Sequence, residues 1–344
     1  MHIDNKVEHA IEAGLGFLET NQLPSGEFPV FTSKRRDMIG DVSADPSVFP
    51  TALAAHALGF VPGAAALRDR AIRFLLDQRD RHGLWRHWTR DHPHFAVLPP
   101  DLDDTSCASA VLARNGVSGT ADSQLLLSNR NSRGLFYTWI VPRLRWTSAA
   151  HRRVVAGQLP RALVLYAFFR NTSASPDDVD AVVNANCLFA LGAFSGHEAV
   201  VEHLLGILRT REEISCDKWY DNPFVIWYFF SRALSGIAPG AGDMIAHRIA
   251  SAAPANALET ALAAAGLLYW NHLPEQDSIL TLLEGQLETG AWPRAAIYHG
   301  GRARLPDGTF DEPRPHTPYW GSEALTTVFC LEVLAQWLRR HRRT

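Results

Sequence analysis

The stretch "FLLDQRDRHGLW", residues 74–85, contains the pattern that decides the fold of this protein. An apolar helix end is followed by Gln, by a polar turn and by Gly-x-aromatic. The same order of residue types recurs in "FLETNQLPSGEF" (17–28) and in "LLEGQLETGAW" (282–292). Three such matches indicate a shared structural repeat rather than three unrelated surface loops.

The spacing of these stretches predicts the architecture. Gln22 and Gln78 lie 56 residues apart, and Gln286 follows 208 residues later, close to four more units. Segment 129–139, "NRNSRGLFYTW", keeps the Gly and the aromatic residue but lacks the Gln. A period of about 50 residues is typical of one helix pair, and a pair cannot bury its apolar face alone. We therefore expect about six pairs stacked into a closed all-α ring, an (α/α)6 toroid.

The rest of the chain agrees with a helical protein of one domain. Several segments place apolar residues at helical spacing, with Gly and Pro between them, and we see no convincing run of alternating β-branched residues. No domain boundary is evident, so the sequence predicts a single domain over 1–344. The longest irregular stretch, "GGRARLPDGTFDEPRP" (300–315), is expected to be a long loop.

Composition excludes several classes of function. The net charge is only −3, without a basic stripe, so we expect no binding to nucleic acid. The four cysteines are scattered without metal-ligand spacing, which indicates neither a structural zinc site nor a disulfide framework. No signal peptide and no apolar run of about 18 residues is present, so a cytoplasmic location is expected.

The acidic motif "DLDDT", residues 101–105, is the strongest candidate for chemistry. Asp101, Asp103 and Asp104 precede a helix of small residues, and one of them can serve as its N-cap. Three carboxylates this close cannot all ionise cheaply, so at least one should have a raised pKa. The motif is compatible with an acidic helix N-terminus, with a general acid that is held protonated, and with a magnesium site that binds phosphates.

This motif resembles the Asp-x-Asp-Asp-Thr motif of class II terpene cyclases, the superfamily of squalene-hopene cyclase and copalyl diphosphate synthase. The Gln and Gly-x-aromatic stretches are similar to the QW motifs of that family, and "YWGSEALTTVFCLEVL" (319–334) is similar to the last helical region of its bacterial members. The resemblance covers nearly the whole chain. It implies a toroidal enzyme that protonates and cyclises a linear isoprenoid.

The resemblance also implies roles for individual residues. The middle aspartate of the family motif is the proton donor, which is Asp103 here, and Asp101 and Asp104 would position it and tune its acidity. "VVNANCLFALG" (182–192) resembles the helix that contacts the acid in the family, which places Asn186 in a supporting role. Asn184 is a second candidate, and both asparagines can equally be polar links between helices.

Carbocations need stabilisation by groups that do not trap them, and aromatic faces provide it. The chain has 10 Trp, 17 Phe and 7 Tyr residues, which are densest in "WYDNPFVIWYFF" (219–230). Most of these rings are expected to belong to the core. The predicted substrate-binding rings are Phe95, Trp227, Tyr228, Tyr319 and Trp320.

The chain departs from most of the family in having the length of one toroid. No acidic magnesium motif from a second domain is visible, and the ligands of any metal are unknown. Mg²⁺ is nevertheless expected with a substrate diphosphate, for which the basic candidates are Arg35, Arg36, Arg294 and Arg302. A long loop, a second copy of the chain in a homodimer or a partner domain is expected to close the pocket, and peripheral contact with a membrane is a further expectation.

The resulting hypothesis is a class II terpene cyclase, an isomerase of the intramolecular lyase type. It would cyclise farnesyl or geranylgeranyl diphosphate, a small-molecule isoprenoid substrate, and retain the diphosphate. A rival hypothesis is a protein prenyltransferase β-like subunit with zinc, for which "SCDKWYD" offers Cys216 and Asp217. Two more are a non-catalytic toroid that serves as a binding scaffold and a glycoside hydrolase with paired carboxylates.

Overall fold

The computed structural model describes residues 3–143, 149–306 and 309–342. Two short 3₁₀ turns, Leu159–Arg161 and Glu213–Ser215, accompany the α-helices. In chain order, the α-helices of these residues are α1 (Ile3–Asn21), α2 (Val48–Leu58), α3 (Ala65–Gln78), α4 (Leu102–Arg114), α5 (Ser123–Ser128), α6 (Ala149–Gln158), α7 (Ala162–Asn171), α8 (Ala181–Leu191), α9 (Glu198–Thr210), α10 (Pro223–Leu234), α11 (Ala241–Ala250), α12 (Ala257–Tyr269), α13 (Gln276–Glu284) and α14 (Glu323–His341).

An inner ring of helices closes on itself. Helix α2 packs against α4, α4 against α8, α8 against α10, α10 against α12, α12 against α14, and α14 returns to α2. These helices are buried over most of their surface: every residue of α2 is buried, as is every residue of α10 after Pro223. A helix that is apolar all round is stable only when neighbours surround it, which fixes its place in the inner ring.

An outer layer covers the ring. Helix α1 packs on α14 and α13, α3 on α2 and α4, α9 on α8 and α11, and α11 on α10 and α12. These helices bury only one face, as in α13, where Ile279 and Leu282 are the buried residues. The predicted helical toroid is therefore confirmed. Between α4 and α8 the repeat is interrupted by the short α5 and by the pair α6 and α7.

The Gln of the first repeat links neighbouring elements of the outer layer. The Gln22 amide donates to the carbonyl of Gly26 within its own turn (2.9 Å) and to the carbonyl of Leu67 in α3 (3.0 Å). Gly26 has φ +92°, and a Cβ there would lie 2.2 Å from the carbonyl oxygen of Arg70. The turn can therefore approach α3 this closely only with glycine.

The last repeat has the same geometry. The Gln286 amide donates to the carbonyl of Gly290 (2.8 Å) and to that of Ala10 in α1 (2.9 Å). Gly290 has φ +85°, and a Cβ there would lie 2.3 Å from the carbonyl oxygen of Ala13. The turn after α13 thus joins the last repeat to the first helix of the chain, which closes the outer layer.

The structure adds a small sheet that the sequence did not predict. Its strands are β1 (Phe31–Ser33), β2 (Ser43–Ala44), β3 (Ala296–His299) and β4 (Tyr319–Gly321), in the antiparallel order β2-β1-β4-β3. Such short strands carry too few residues to show a period of two. The expected all-α fold class is confirmed, and this small sheet is an addition to it that contributes residues to the cavity described below.

Candidate active site

The acidic motif lies at the start of inner helix α4. Asp101 is the N-cap, and its side chain accepts a hydrogen bond from the backbone N–H of Asp104 (2.9 Å). This cap satisfies one of the free N–H groups of the first turn. It also leaves Asp103 on the first turn with its carboxyl free to interact across the ring.

Two side chains from other parts of the ring hold the Asp103 carboxyl. The Nδ2 atom of Asn186 in α8 donates to Oδ1 (2.5 Å), and the hydroxyl of Tyr220, just before α10, donates to Oδ2 (2.6 Å). Burial raises the pKa of Asp103, while the hydrogen bonds from Tyr220 and Asn186 act in the opposite direction. The net effect is a raised pKa, which favours the protonated form of Asp103.

A buried arginine stands behind Asn186. One guanidinium nitrogen of Arg232 donates to Oδ1 of Asn186 (2.6 Å), and the same cation lies 4.2 Å from the ring centre of Phe189 and 4.9 Å from that of Phe229. This contact fixes the orientation of the amide, so that its NH₂ group faces Asp103. The positive charge of Arg232 also lowers the pKa of Asp103, after the larger effect of the two hydrogen bonds.

The outer two aspartates form a separate acidic pair. Burial raises the pKa of Asp101 to about 7 and raises that of Asp104 well above its usual range, with the neighbouring carboxyls adding to the rise. One proton shared between these two close carboxyls explains why the pKa of each is raised. The hydrogen bonds that position Asp103 come from Tyr220 and Asn186, and the charge of Asp103 adds to the raised pKa of both members of the pair.

Asp103 lines a cavity of about 300 Å³ that we call the aromatic cavity. All three aspartates of the motif contribute to its lining, together with Thr138 and Val183. Its aromatic lining residues are Phe49, Trp88, Trp139, Phe168, Trp219, Tyr220, Tyr298 and Trp320. A carboxylic acid therefore faces a chamber whose walls are mostly apolar and rich in π-systems.

The rings in this lining pack closely on one another. Tyr298 of β3 stacks on Trp320 of β4 with ring centres 5.3 Å apart, and Phe49 of α2 meets Tyr298 edge-on at 5.7 Å. The imidazole of His87 meets Tyr298 and Trp320 edge-on at 5.6 Å. Burial lowers the pKa of His87 to about 4, so this lining group is neutral at neutral pH.

A carboxylate at the edge of the cavity joins the sheet to the 87–94 segment. Asp45 accepts hydrogen bonds from the indole N–H of Trp88 (3.0 Å) and from that of Trp320 (2.7 Å). Its other oxygen lies 3.1 Å from Nε2 of His92, which stacks on Trp88. Two tryptophans of the lining are thus held at fixed positions by one charged group.

The structure brings together part of the predicted site. Asp101, Asp103, Asp104 and Trp320 line the aromatic cavity, and Asn186 contacts Asp103 directly. Phe95 and Tyr319 are outside the lining: Phe95 lies against Arg86, and Tyr319 lies beside His299. Their predicted contact with substrate is therefore not supported by their positions.

Three further predicted residues lie elsewhere in the ring. The Asn184 side chain bonds the backbone N–H (2.8 Å) and carbonyl (3.1 Å) of Phe136, so it links α8 to a turn. Trp227 donates to Glu213 (3.2 Å), and Tyr228 donates to Glu332 (3.2 Å) in the buried interior. A helix whose whole circumference is buried gives no sequence signal for the face that meets a cavity, which explains these misplacements.

Tyr220, Arg232, His87 and Tyr298 are among the residues of the site that sequence reasoning missed. Tyr220 belongs to the aromatic segment 219–230 that the sequence singles out, but the wrong members of that segment were chosen. Arg232 stands just beyond the same aromatic run, where an isolated arginine gave no signal. His87 and Tyr298 come from a loop and from a strand that the sequence did not predict.

No lysine or arginine lines the aromatic cavity among the described residues. The four arginines considered for a diphosphate all have protein partners: Arg36 pairs with Asp221 (2.5 Å), Arg294 with Glu323 (2.8 Å from Nε), Arg35 with Asp37, and Arg302 with backbone carbonyls.

Within 3–143, 149–306 and 309–342, no group of three or more His, Cys, Asp or Glu side chains could hold a metal ion. The zinc hypothesis at Cys216 and Asp217 therefore lacks support. The Asp217 carboxylate instead accepts hydrogen bonds from backbone N–H groups.

Comparisons with known proteins agree with the fold. No protein-family model and no curated protein matches the sequence. A variant of the type II terpene cyclase MstE from Scytonema, in complex with its substrate geranylgeranyl dihydroxybenzoate, superimposes with a TM-score of 0.65. The identity is 15%, and the match covers 98% of this chain and 99% of that chain.

Two other solved structures give similar results. MstE without ligand has a TM-score of 0.64 at 16% identity, over 99% of this chain and 100% of that chain. A protein from Actinoplanes has a TM-score of 0.59 at 19% identity, over 97% of this chain and 98% of that chain. The chain therefore has a terpene cyclase-like fold over nearly its whole length.

Proposed function

We propose that this protein is a class II terpene cyclase, which starts cyclisation of a linear polyprenyl chain by protonating a terminal alkene. The observation that carries the proposal is the Asp103 carboxyl, which lines the aromatic cavity and has both oxygens held by hydrogen-bond donors. The terpene cyclase-like fold supports it. A binding scaffold would not require an acid in its cavity with both oxygens held by hydrogen-bond donors.

The first step follows from the geometry of Asp103. Because Asn186 and Tyr220 each donate to one oxygen, the acidic proton occupies a remaining lone pair of the carboxyl. Transfer of this proton breaks the O–H bond, forms a C–H bond at the less substituted alkene carbon and leaves a tertiary cation. The two donors, with Arg232 behind Asn186, then stabilise the carboxylate that remains.

The walls of the cavity suit the cationic intermediates. Successive double bonds attack the cation intramolecularly, and the positive charge moves along the folded chain. The faces of Tyr298, Trp320 and Trp219 can stabilise it without forming a bond to it. His87 is neutral, so it does not repel the charge, and an imidazole in the lining can accept the proton lost at the end.

The charge of the lining residues indicates which headgroup the substrate carries. Since the described lining has no lysine or arginine, we propose that the prenyl chain is attached to an uncharged or aromatic group rather than to a diphosphate. The prenylated aromatic substrate of MstE supports this choice.

A prenyl diphosphate with Mg²⁺ remains the second candidate. Arg302 and Arg36 both lie near His299 of the lining, and Arg36 is the candidate to bind the diphosphate because Arg302 is buried and donates to backbone carbonyls. Arg36 would first have to leave its ion pair with Asp221.

The test is an incubation of the purified protein with a matched panel of substrates. Geranylgeranyl and farnesyl chains are supplied on dihydroxybenzoate and as diphosphates, each with and without Mg²⁺, and products are separated by liquid chromatography and mass spectrometry. We expect a cyclic isomer from the aromatic substrates that Asp103→Asn does not form. A cyclic diphosphate would select the second candidate, and products that persist in Asp103→Asn would refute the proposal.

A further inference from the structure

The segment between α4 and α8 has an unusual charge pattern. Residues 123–176 contain eight arginines and no aspartate, glutamate or lysine, although the whole chain has a net charge of −3. Helices α6 and α7 belong to this segment. Exposed arginines stand at both ends of the helix pair, Arg152 and Arg153 on α6 and Arg170 on α7. Such a local excess of positive charge predicts a negatively charged partner.

The outward face of α7 and of the turn Leu159–Arg161 before it is apolar. Leu163 is 85% exposed, Tyr166 61% and Leu159 57%, and these residues are spaced by four and three positions along the chain. Val164 beside them is 42% exposed. Other large apolar residues with high exposure, such as Ile39 and Ile214, are far apart in the chain. A contiguous exposed apolar surface on a folded protein marks a contact surface.

The inward face of α7 reaches the aromatic cavity. Leu165 and Phe168 are buried, and Phe168 lines the cavity and packs edge-on against Trp139 with ring centres 5.4 Å apart. These rings belong to a small apolar cluster separate from the main core. One short helix thus has the cavity on one side and the exposed apolar surface on the other.

We propose that the outward face of α6 and α7 binds the surface of a membrane that contains anionic lipids. Leu159, Leu163 and Tyr166 insert among the acyl chains near the headgroups, and the flanking arginines contact lipid phosphates. Among the described residues, no helix is long and apolar enough to cross a bilayer, so the contact is peripheral. The long apolar substrate of the proposed function partitions into lipid, and this orientation places the cavity next to it.

The charge pattern favours lipid over a second copy of the chain. In a twofold dimer through this face, the arginines of one copy would meet those of the other, because residues 123–176 include no acidic side chain to pair with them. An anionic lipid surface instead supplies negatively charged headgroups opposite the arginines and acyl chains opposite the apolar residues of this face. The proposal does not depend on the reaction that the enzyme performs.

The experiment is vesicle co-sedimentation of the full-length protein. Vesicles of phosphatidylcholine alone are compared with vesicles of phosphatidylcholine and phosphatidylglycerol in equal parts. We expect binding to the mixed vesicles that weakens with salt, and weak binding to the neutral ones. Leu163→Glu should weaken binding at least about tenfold, and the double variant Arg152→Gln/Arg153→Gln about fivefold for each charge removed.

Ile214→Glu is the matched control, because Ile214 is an exposed apolar residue (59%) in the separate turn Glu213–Ser215. It should bind vesicles as the wild type does, and circular dichroism should show that all variants are folded. Activity of Leu163→Glu on detergent-dispersed substrate should equal that of wild type, which separates a docking defect from a failed reaction. Absence of binding by wild type, equal losses in both glutamate variants, or a lipid-free dimer that Leu163→Glu dissociates would each overturn the proposal.

Discussion

Two carboxyls of the inner ring, the half-buried Asp103 and the fully buried Glu332, have similar hydrogen-bond partners but differ in their access to a cavity. Tyrosine hydroxyls donate to both, and burial raises the pKa of both, that of Glu332 to about 7. Asp103 lines the aromatic cavity, whereas Glu332 is fully buried among Tyr228, Tyr269 and Gln336. Burial prepares a carboxyl to hold a proton, but only access to a cavity allows that proton to reach a substrate.

The largest effect is expected from removing the acid. Asp103→Asn should lower kcat by about a thousandfold or more, because an amide cannot supply the initiating proton. Glu332→Gln, the matched change at the enclosed carboxyl, should keep kcat within about threefold of wild type. Steady-state product formation by both variants checks the comparison. An active Asp103→Asn, or a Glu332→Gln that is equally inactive, would contradict it.

The two asparagines of α8 provide the next comparison. Asn186→Leu removes a donor to the Asp103 carboxylate and leaves Arg232 without its acceptor, so we expect kcat to fall about tenfold to a hundredfold and the free energy of unfolding to fall by about 1–3 kcal/mol. Asn184→Leu leaves backbone groups of Phe136 without partners and should lower the free energy of unfolding by about 2–4 kcal/mol.

Thermal unfolding and kcat should be measured for both asparagine variants. The expected pattern is a loss of stability in both variants and a fall in kcat in Asn186→Leu alone, with the residual activity of folded Asn184→Leu close to that of wild type. If both lost activity in proportion to stability, Asn186 would have only a structural role.

These residues also show how far the sequence predicts the site. The repeats predicted the helical toroid, because they rest on spacing along the chain, whereas Asp103 and Asn186 were assigned their roles through the resemblance to class II terpene cyclases. Tyr220 and Arg232 were missed because their importance depends on the direction of a side chain inside a ring that is buried on all sides. The sheet, which contributes Tyr298 and Trp320, is built from pairings between the two ends of the chain that no local pattern reveals.

A smaller effect concerns pH. The pKa of Asp101 and that of Glu332 are each raised to about 7, above the value of about 4 in an unfolded chain. The folded state therefore holds protons that the unfolded state has released, so stability should fall as pH rises from about 4 through about 7. The slope is at most about 1.4 kcal/mol per pH unit for each group.

Denaturant unfolding at pH 5.5 and pH 7.5 measures this dependence. Glu332→Gln and Asp101→Asn should each reduce the loss of stability between the two values, since a neutral amide does not titrate. An unchanged loss in both variants would show that other groups determine the pH dependence.

The smallest expected effect lies in the outer layer. Gln286→Ala removes hydrogen bonds to the carbonyls of Ala10 and Gly290 and should lower the free energy of unfolding by about 1–2 kcal/mol. Its kcat should equal that of wild type, because the turn lies in the outer layer. Equilibrium unfolding with a parallel activity assay checks both statements, and a loss of activity without a loss of stability would be unexpected.

The most direct test of the central claim, that a carboxylic acid starts the reaction, is turnover in D₂O. The Asp103 proton exchanges with solvent, so each cyclic product should carry one deuterium on carbon, at the position formed by protonation of the terminal alkene. Mass spectrometry and NMR of the product locate it. A product without carbon-bound deuterium at that position, or a reaction that releases diphosphate instead, would show that cyclisation does not begin with a proton from Asp103.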